Sequence, residues 1–220
     1  MHSPMQIQCG LDEAGRGPVI GPMVVAIVCC DPMQIKEIGV RDSKKLTPER
    51  RSYLFDRIME TSICVEIETI PSTVINGEMQ YRTLNEIEYD RFLSLIRKCG
   101  KDAYVDAFDV DPERLSRRLS TDSGFKIIAE HGADDRYPSV SAASIIAKVT
   151  RDREIGNLHE IYGDFGSGYP SDPATVKFLK QSLQNGINIE DIVRKEWKTW
   201  KDLTSGKKQK FLFPNDSNIK

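Results

Sequence analysis

Acidic residues stand at three places in this 220-residue chain where the local sequence predicts the end of a strand or a loop. Asp12 and Glu13 come just before a glycine turn, which can bring both carboxylates toward one site. Asp106 stands in an apolar segment, where a lone carboxylate is costly to desolvate without a cation or a donor nearby. Asp134 follows in a loop. Because Mg²⁺ and Mn²⁺ prefer oxygen ligands, this pattern indicates a site for hard divalent cations.

Two such ions could clamp a phosphodiester, one activating water and the other stabilising the leaving oxygen. Asp109 and Asp135, which stand close to Asp106 and Asp134 in the chain, belong to the same candidate set. The alternative is that these acids are solvated turn residues and helix caps, because exposed Asp and Glu are common. That alternative is favoured for any one acid taken alone, except for Asp106 with its apolar neighbours.

A glycine-rich segment follows the first acidic pair and includes Gly15, Arg16 and Gly17. Glycines let the backbone N–H groups approach hydroxyls or phosphate oxygens, and Arg16 adds a positive charge. The segment is not a phosphate-binding P-loop, because the Gly-Lys-Ser/Thr ending is absent. An ordinary glycine-rich connection between two strands is an equally good interpretation.

Further candidates for substrate binding are Ser43, Lys44, Lys45 and Lys148, which could hold phosphates. Tyr169 stands on a glycine-rich loop and could stack on a base or a sugar. Each of these residues, taken alone, is better explained as a solvated surface residue.

The segment 194–210 is basic, with seven Lys or Arg against Glu196 and Asp202. We predict that Trp197 and Trp200 dock on the core and that the lysines face a nucleic-acid backbone. The whole chain has a formal net charge of -2 and a pI near 6.0, which excludes the simplest nucleic-acid signature, a domain of pI above about 9. A local basic surface is still compatible with that balance.

The five cysteines are odd in number and contain no Cys-x-x-Cys pair, so we interpret them as small buried residues in a reducing compartment. With three histidines in the chain, we expect no Cys/His zinc site. The longest apolar run, 23–30, is far shorter than the roughly 20 residues of a membrane span, and no signal peptide is visible. We therefore expect a cytoplasmic protein without a membrane segment.

The hydrophobic pattern predicts strands at 6–12, 23–30, 103–108 and 125–129, the second buried on both faces. Three helices are predicted to begin where an N-cap residue precedes proline, at 47–48, 111–112 and 172–173, and two more at 83–97 and from Ser141. Strands alternating with helices indicate the α/β class. The pattern is helical after about Gly163, so we predict a core at 1–162, a helical C-terminal extension at 163–205 and a flexible tail at 206–220.

Taken together, the motifs closely resemble those of the type 2 ribonucleases H (ribonuclease HII), in that family's order and from about residue 6 to 200, and they favour an archaeal-type member. The segments that carry the resemblance are GLDEAGRGP at 10–18, DSKKL at 42–46, YVD at 104–106, AD at 133–134, SAASIIAK at 141–148 and GSGYP at 166–170. The resemblance implies an RNase H-like fold, a mixed central sheet flanked by helices. It also implies a monomer.

The resemblance implies hydrolysis of the RNA strand of RNA–DNA hybrids and cleavage 5′ of single ribonucleotides in duplex DNA. This chemistry would use two Mg²⁺ or Mn²⁺ ions and leave 5′-phosphate and 3′-hydroxyl ends. By position, Asp12, Glu13, Asp106 and Asp134 match the family's four acids. Gly15, Arg16 and Gly17 match the motif that reads the ribose 2′-hydroxyl, and Tyr169 matches the tyrosine that senses an RNA–DNA junction.

Two alternatives are a type 3 ribonuclease H of the same fold, whose substrate platform has no evident counterpart here, and a hybrid-binding protein that has lost catalysis. Retention of all four acids argues against the second. Residues 209–213 resemble a sliding-clamp-binding peptide, although Asn215 and Asp216 stand where its paired aromatics should fall. A sliding clamp is therefore a further predicted partner.

Overall fold

The computed structural model describes residues 7–40 and 46–212, with side chains described as far as residue 205. Five strands form one sheet: Gln8–Ala14 (β1), Met23–Cys30 (β2), Cys64–Ile70 (β3), Ala103–Asp106 (β4) and Ile127–Glu130 (β5). Their order across the sheet is β3-β2-β1-β4-β5. The β1–β2 and β2–β3 pairs are antiparallel, whereas β1–β4 and β4–β5 are parallel. The expected mixed sheet is confirmed.

Helices cover both faces of this sheet, as expected. In chain order they are Pro32–Glu37 (α1), Pro48–Thr61 (α2), Ser72–Glu78 (α3), Leu84–Cys99 (α4), Pro112–Ser123 (α5), Ala133–Arg136 (α6), Pro138–Tyr162 (α7), Pro173–Asn185 (α8) and Lys198–Leu212 (α9). α4 and α5 pack on one face, and α1, α2 and α7 pack on the other. β2 is buried along its whole length because alternate side chains enter these two cores. No helix among the described residues is long and apolar enough to cross a membrane.

Four of the five predicted helix starts are confirmed by their caps, whereas the helix predicted from Ser141 begins three residues earlier, at Pro138. Thr47, Asp111 and Asp172 each accept a hydrogen bond from a backbone N–H in the first turn, and Pro follows in each case. Thr83 forms a reciprocal capping box with Glu86 at the start of α4. The sequence reasoning missed β3 and the short helices α1, α3 and α6.

The chain after α7 contains α8, α9 and loops, together with one isolated bridge that joins Val193 to Ile20 in the loop after β1. α9 continues to Leu212 and so reaches seven residues into the segment predicted as a tail. The buried residues of this extension form a third core with Val19, Ile20 and Ile155. The division of the chain after residue 162 stays a prediction.

The interpretation of the cysteines as reduced thiols is wrong for four of the five. Cys9 pairs with Cys29 across β1 and β2, and Cys64 pairs with Cys99 between β3 and the end of α4. Strand pairing places Cys29 opposite both Cys9 and Cys64, a juxtaposition that sequence spacing does not reveal. Cys30 is the free, buried thiol that was expected.

Gly10 permits the close contact between β1 and α7. A Cβ at this position would lie 2.2 Å from the backbone nitrogen of Val140 and 2.3 Å from the carbonyl carbon of Ser139. Both atoms belong to the backbone of α7, so no side-chain rotation relieves the clash.

Gly10→Ala is therefore expected to lower the free energy of unfolding by about 1–3 kcal/mol, the usual cost of overpacking, as measured by urea titration. Gly156→Ala is the control, because this glycine lies in α7 with open space around its Cα. It should stabilise the protein by up to about 1 kcal/mol. Equal stability of Gly10→Ala and the parent would contradict the close packing.

Candidate active site

The acidic cluster lies where two neighbouring parallel strands end. Asp12 stands near the end of β1, and Asp106 is the last residue of β4. Leu11 is in register with Val105, so Asp12 and Asp106 are neighbours across the two strands. This topology brings together two carboxylates that are 94 residues apart in the sequence.

Asp12 is 5% exposed, and burial raises the pKa of its carboxyl well above the ordinary value. The nearby charges of Glu13 and Asp106 raise this pKa further, whereas a hydrogen bond from Ser144 and the charge of Lys148 lower it. Lys148 also donates a hydrogen bond of 2.7 Å to the Ser144 hydroxyl. The segment 141–148, first interpreted as helix packing, thus supplies polar contacts to the cluster as well.

The turn after β1 does not bring Asp12 and Glu13 to one face, because β1 continues through Ala14. Side chains alternate along a strand. Asp12 therefore faces Ser144 on α7, and Glu13 faces Glu88 on α4.

Glu88 is a buried member of the cluster that the sequence reasoning missed. It is fully buried, forms an ion pair with Arg16, and accepts a hydrogen bond from the protonated carboxyl of Glu13. Burial raises the pKa of Glu88 to about 7 and that of Glu13 well above its ordinary value. The available signal was helical spacing, because Glu88 falls midway between the apolar residues Leu84 and Phe92 on one side of α4.

Asp134 lies in α6, next to the cluster, and is 7% exposed. The preceding N–H, that of Ala133, donates a 3.0 Å hydrogen bond to Oδ1 of Asp106, which ties α6 to the end of β4. Asp134 also lines a cleft of about 400 Å³ together with Tyr137 and Ser141.

Asp109, the other acid near Asp106 in the sequence, has a structural role. Both of its carboxylate oxygens accept hydrogen bonds from Arg114, at 2.6 and 2.8 Å. The hydrogen bond from Arg114 is the main reason that the pKa of Asp109 is lowered.

The carboxylate oxygens of the acidic cluster are the ligand type that hard divalent cations prefer. In this structure, however, the carboxylates do not point to one common position. In the described ranges 7–40 and 46–205, the one group of three potential ligands with all donor atoms within 4.8 Å is Cys29, Cys64 and Cys99, and these sulfurs are already in disulfides. Asp12, Glu13 and Asp106 are close enough for their charges to interact. An ion held by all three would require the Glu13 carboxylate to turn from Glu88.

These raised pKa values predict how stability depends on pH. Asp12, Glu13 and Glu88 hold protons in the folded protein that the unfolded chain releases near pH 4. The folded state therefore binds more protons above that pH, and stability falls as the pH rises from about 4 through about 7.

The melting temperature in EDTA is accordingly expected to be lower at pH 8 than at pH 5. Mn²⁺ should raise the melting temperature more at pH 8, because the carboxylates must lose their protons before they bind the ion. A melting temperature in EDTA that increased over this range would contradict the raised pKa values.

The side chain of Arg16 is held by the protein and does not project into solvent as a free charge. It pairs with Glu88, donates a hydrogen bond to Asn85, and lies 5.6 Å from the ring centroid of Phe108. Gly15 has φ of +85°, a conformation that favours glycine, and a Cβ there would lie 2.4 Å from Cδ of Arg151. The loop therefore offers its backbone to a ligand more than its arginine.

Tyr169 lies beside the glycine loop. The two motifs that are predicted to contact the substrate together are therefore neighbours in the structure. A Cβ on Gly17 would lie 3.4 Å from Cε1 of Tyr169, and the guanidinium of Arg151 lies 5.3 Å from the ring centroid. Tyr169 remains 39% exposed. Ser43, Lys44 and Lys45 lie outside the described residues.

The basic C-terminal segment is divided between the interior and the surface. The predicted docking is found for Trp200, which is buried, and for Trp197, which packs against the cores. Arg194, counted among the basic residues able to grip nucleic acid, is fully buried and unavailable for that role. Lys195 and Lys201 are exposed and pair with Glu190 and Glu196.

A mixed sheet that places the buried Asp12 and the half-buried Asp106 at the ends of adjacent strands is an arrangement suited to a metal-dependent hydrolase of phosphodiesters. Comparison with known proteins specifies this class. The family model described as ribonuclease HII matches residues 9–200. Ribonuclease HII of Thermoplasma volcanium is 47% identical over 215 residues, covering 96% of this chain and all of that protein.

Solved structures agree with the sequence comparison. Ribonuclease H2 from Pyrococcus horikoshii has a TM-score of 0.85 and 38% identity, covering 93% of this chain and all of that one. Ribonuclease HII from Archaeoglobus fulgidus, solved as a complex with PCNA, has a TM-score of 0.83 and 45% identity. The match covers 87% of this chain and 95% of that one. Bst-RNase HIII in complex with Mn²⁺ shares the fold, with a TM-score of 0.72, 21% identity, and coverage of 93% and 71%.

This chain belongs to the ribonuclease HII family, and it is a metal-dependent ribonuclease. The resemblance seen in the sequence motifs is confirmed over most of the chain.

Proposed function

We propose that this enzyme hydrolyses the RNA strand of RNA–DNA hybrids and cuts 5′ of single ribonucleotides embedded in duplex DNA. The products would carry 5′-phosphate and 3′-hydroxyl ends. One observation carries the proposal: the buried carboxylate of Asp12 and the half-buried carboxylate of Asp106 lie at adjacent strand ends, in the same part of the fold as a glycine loop and Tyr169.

Asp12, Glu13 and Asp106 are the proposed ligands of Mg²⁺ or Mn²⁺, with Asp134 contributing to a second ion. Two bound ions would activate a water molecule and stabilise the leaving oxygen of the scissile phosphodiester. Lys148, through Ser144, holds the Asp12 carboxylate in place, and its charge favours the ionised form that binds a cation. The N–H of Ala133 donates a hydrogen bond to the Asp106 carboxylate and so fixes its orientation.

The glycine loop is the proposed reader of the ribose. A hybrid has a wide and shallow minor groove that displays 2′-hydroxyl groups, and exposed N–H groups of a glycine-rich turn can reach them. Gly17 is exposed and lies against Tyr169, so the loop and the ring can contact neighbouring sugars at once. Ser43, Lys44, Lys45 and Lys148 are proposed to contact phosphates.

A cleavage assay tests this function directly. Duplexes with a labelled RNA strand, with one ribonucleotide, or with DNA alone are incubated with the enzyme in Mg²⁺, in Mn²⁺ and in EDTA. We expect cleavage of the first two in either ion, with the cut 5′ of the single ribonucleotide, and no cleavage in EDTA or of DNA alone. Binding of the hybrid without cleavage in either ion would instead favour the non-catalytic binding protein.

The Asp134→Asn variant is expected to lose less activity than the Asp12→Asn or Asp106→Asn variant. Asp134 lies on a short helix tied to Asp106 through the neighbouring N–H, and the proposed role is in holding the second ion. Raising the Mn²⁺ concentration should restore part of the rate, because mass action compensates for a weakened site. Turnover by Asp134→Asn that is insensitive to Mn²⁺ concentration would contradict this role.

A sliding clamp is the proposed protein partner. The relative from Archaeoglobus fulgidus was solved as a complex with PCNA, and the candidate peptide at 209–213 begins within α9. Phe213 and the residues after it lie outside the described part of the chain. Clamp pull-down that is unchanged after deletion of residues 206–220 would remove this proposal.

We further propose that the enzyme acts as a monomer in the cytoplasm. The sheet and its two covering layers bury their apolar faces within one chain, which favours a folded monomer. Gel filtration with light scattering tests the first statement, and cell fractionation tests the second.

A further inference from the structure

We propose that Arg194 and Trp197 are positioning residues that orient the peptide groups of the glycine loop, residues 15–18, for ribose recognition. This inference rests on the proposed function, since it names the residues that make the loop selective. Both residues belong to the C-terminal extension and are about 180 positions away from the loop in the sequence.

The two side chains bind consecutive carbonyl oxygens of the loop. Arg194 donates to the carbonyl oxygens of Gly15 at 2.6 Å, Arg16 at 3.1 Å and Gly21 at 2.9 Å. Nε1 of Trp197 donates to the carbonyl oxygen of Gly17 at 3.0 Å. The Arg194 guanidinium also lies 4.8 Å from the Trp197 ring centroid, so the two donors form one unit.

The bonds from Arg194 determine where the loop N–H groups point, whereas the bond from Trp197 fixes the end of the loop, because the Gly17–Pro18 peptide has no N–H. A trans peptide is planar, and its C=O and N–H point in opposite directions. Holding the carbonyls of Gly15 and Arg16 toward the extension therefore turns the N–H groups of Arg16 and Gly17 away from it. Within the described part of the chain, neither N–H has a hydrogen-bond acceptor, which leaves both available to a ligand hydroxyl.

Arg194 is an unusual residue for a purely packing role. It is fully buried, and its described hydrogen-bond partners are carbonyl oxygens, with no carboxylate among them. Burial and the charge of Arg151 lower its pKa to about 9, so the side chain is still charged at neutral pH. A buried cation is costly without such partners, and an apolar residue would fill the same space at less cost. The guanidinium can serve three carbonyls at once because its donors form a fixed fork.

The same extension also fixes Tyr169 relative to the loop. The carbonyl oxygen of Gly168 accepts hydrogen bonds from the N–H groups of Val19 at 2.8 Å and Ile20 at 3.2 Å. The N–H of Arg194 in turn donates to the carbonyl oxygen of Val19 at 2.8 Å. The loop is thus held between Gly168 and Arg194, so the extension controls both the N–H groups and the neighbouring ring.

Trp197→Phe tests the anchoring of the loop at Gly17, because it removes the bond to the Gly17 carbonyl and retains an aromatic ring. Trp200→Phe is the matched control, since Trp200 packs in the core of the extension. Arg194→Lys keeps a positive charge but offers one nitrogen in place of the fork. The readout is the ratio of affinities for a duplex with one ribonucleotide and for the same duplex as DNA alone, measured in EDTA to prevent cleavage. Melting temperatures are measured in parallel.

We expect Trp197→Phe to reduce this ratio about three- to tenfold, the effect of losing one hydrogen bond, with affinity for DNA alone within twofold of the parent. Arg194→Lys should reduce it further, and Trp200→Phe should leave it unchanged. Equal loss of affinity for both duplexes, or a ratio equal to that of the parent, would overturn the inference and leave the proposed function intact. A parent enzyme that does not prefer the ribonucleotide would overturn the proposed ribose recognition as well as this inference. If Arg194→Lys does not fold, Trp197→Phe still decides between these outcomes.

Discussion

Asp106→Asn and Asp12→Asn are each expected to lower turnover on an RNA–DNA hybrid by about two to three orders of magnitude while the protein remains folded. A neutral amide is a much weaker ligand than a carboxylate for a hard dication, and the bound ion contributes several kcal/mol to the transition state. Glu13→Gln should behave similarly. The measurement is the single-turnover rate in Mg²⁺ and Mn²⁺, with the melting temperature in EDTA as the test of folding.

Asp109→Asn is the matched control, because Asp109 is also an aspartate near the end of β4 but is buried and paired with Arg114. It should lose stability and keep its turnover. At pH 8 in EDTA, Asp12→Asn should melt at or above the temperature of the parent, because it removes a buried carboxyl whose raised pKa opposes folding. Near-normal turnover by Asp106→Asn would contradict the assignment of the metal site.

Tyr169→Ala is expected to weaken cleavage at a single ribonucleotide about ten- to a hundredfold, and to weaken cleavage of a long hybrid less. Loss of one stacking contact costs about 1–3 kcal/mol, which has this effect on the rate if the contact acts in the transition state. A long hybrid offers many positions for productive binding, so one contact matters less there. The comparison requires both substrates at the same salt concentration, because phosphate contacts depend strongly on salt.

Tyr169→Phe is the appropriate control for this variant, since it keeps the ring over Arg151 and beside Gly17. It should retain most of the preference for the single ribonucleotide. Equal losses of Tyr169→Ala on both substrates would mean that the ring has only a structural role.

Most of the fold could be predicted from the sequence, because the patterns that indicate strands and helix starts lie within short stretches of the chain. Residues 23–30 are apolar without a break, and such a run indicates a strand buried on both faces. Three helix starts could be predicted from two adjacent residues, an N-cap residue followed by proline. β3 escaped prediction because it is an edge strand with three charged or polar residues and only Ile70 fully buried, so its hydrophobic pattern is weak.

The sequence by itself determined the family and the set of candidate acids, because these depend on residue types at fixed spacing within short motifs. Only the tertiary structure decided their arrangement. Helical spacing places Glu88 on the apolar side of α4, and Arg194 looks like an ordinary surface charge in the sequence, but only folding buries one beside Glu13 and the other beneath the glycine loop. The contacts of both residues join segments that are far apart in the chain, and the direction of a side chain there depends on strand register and helix packing. Local sequence patterns do not encode that information.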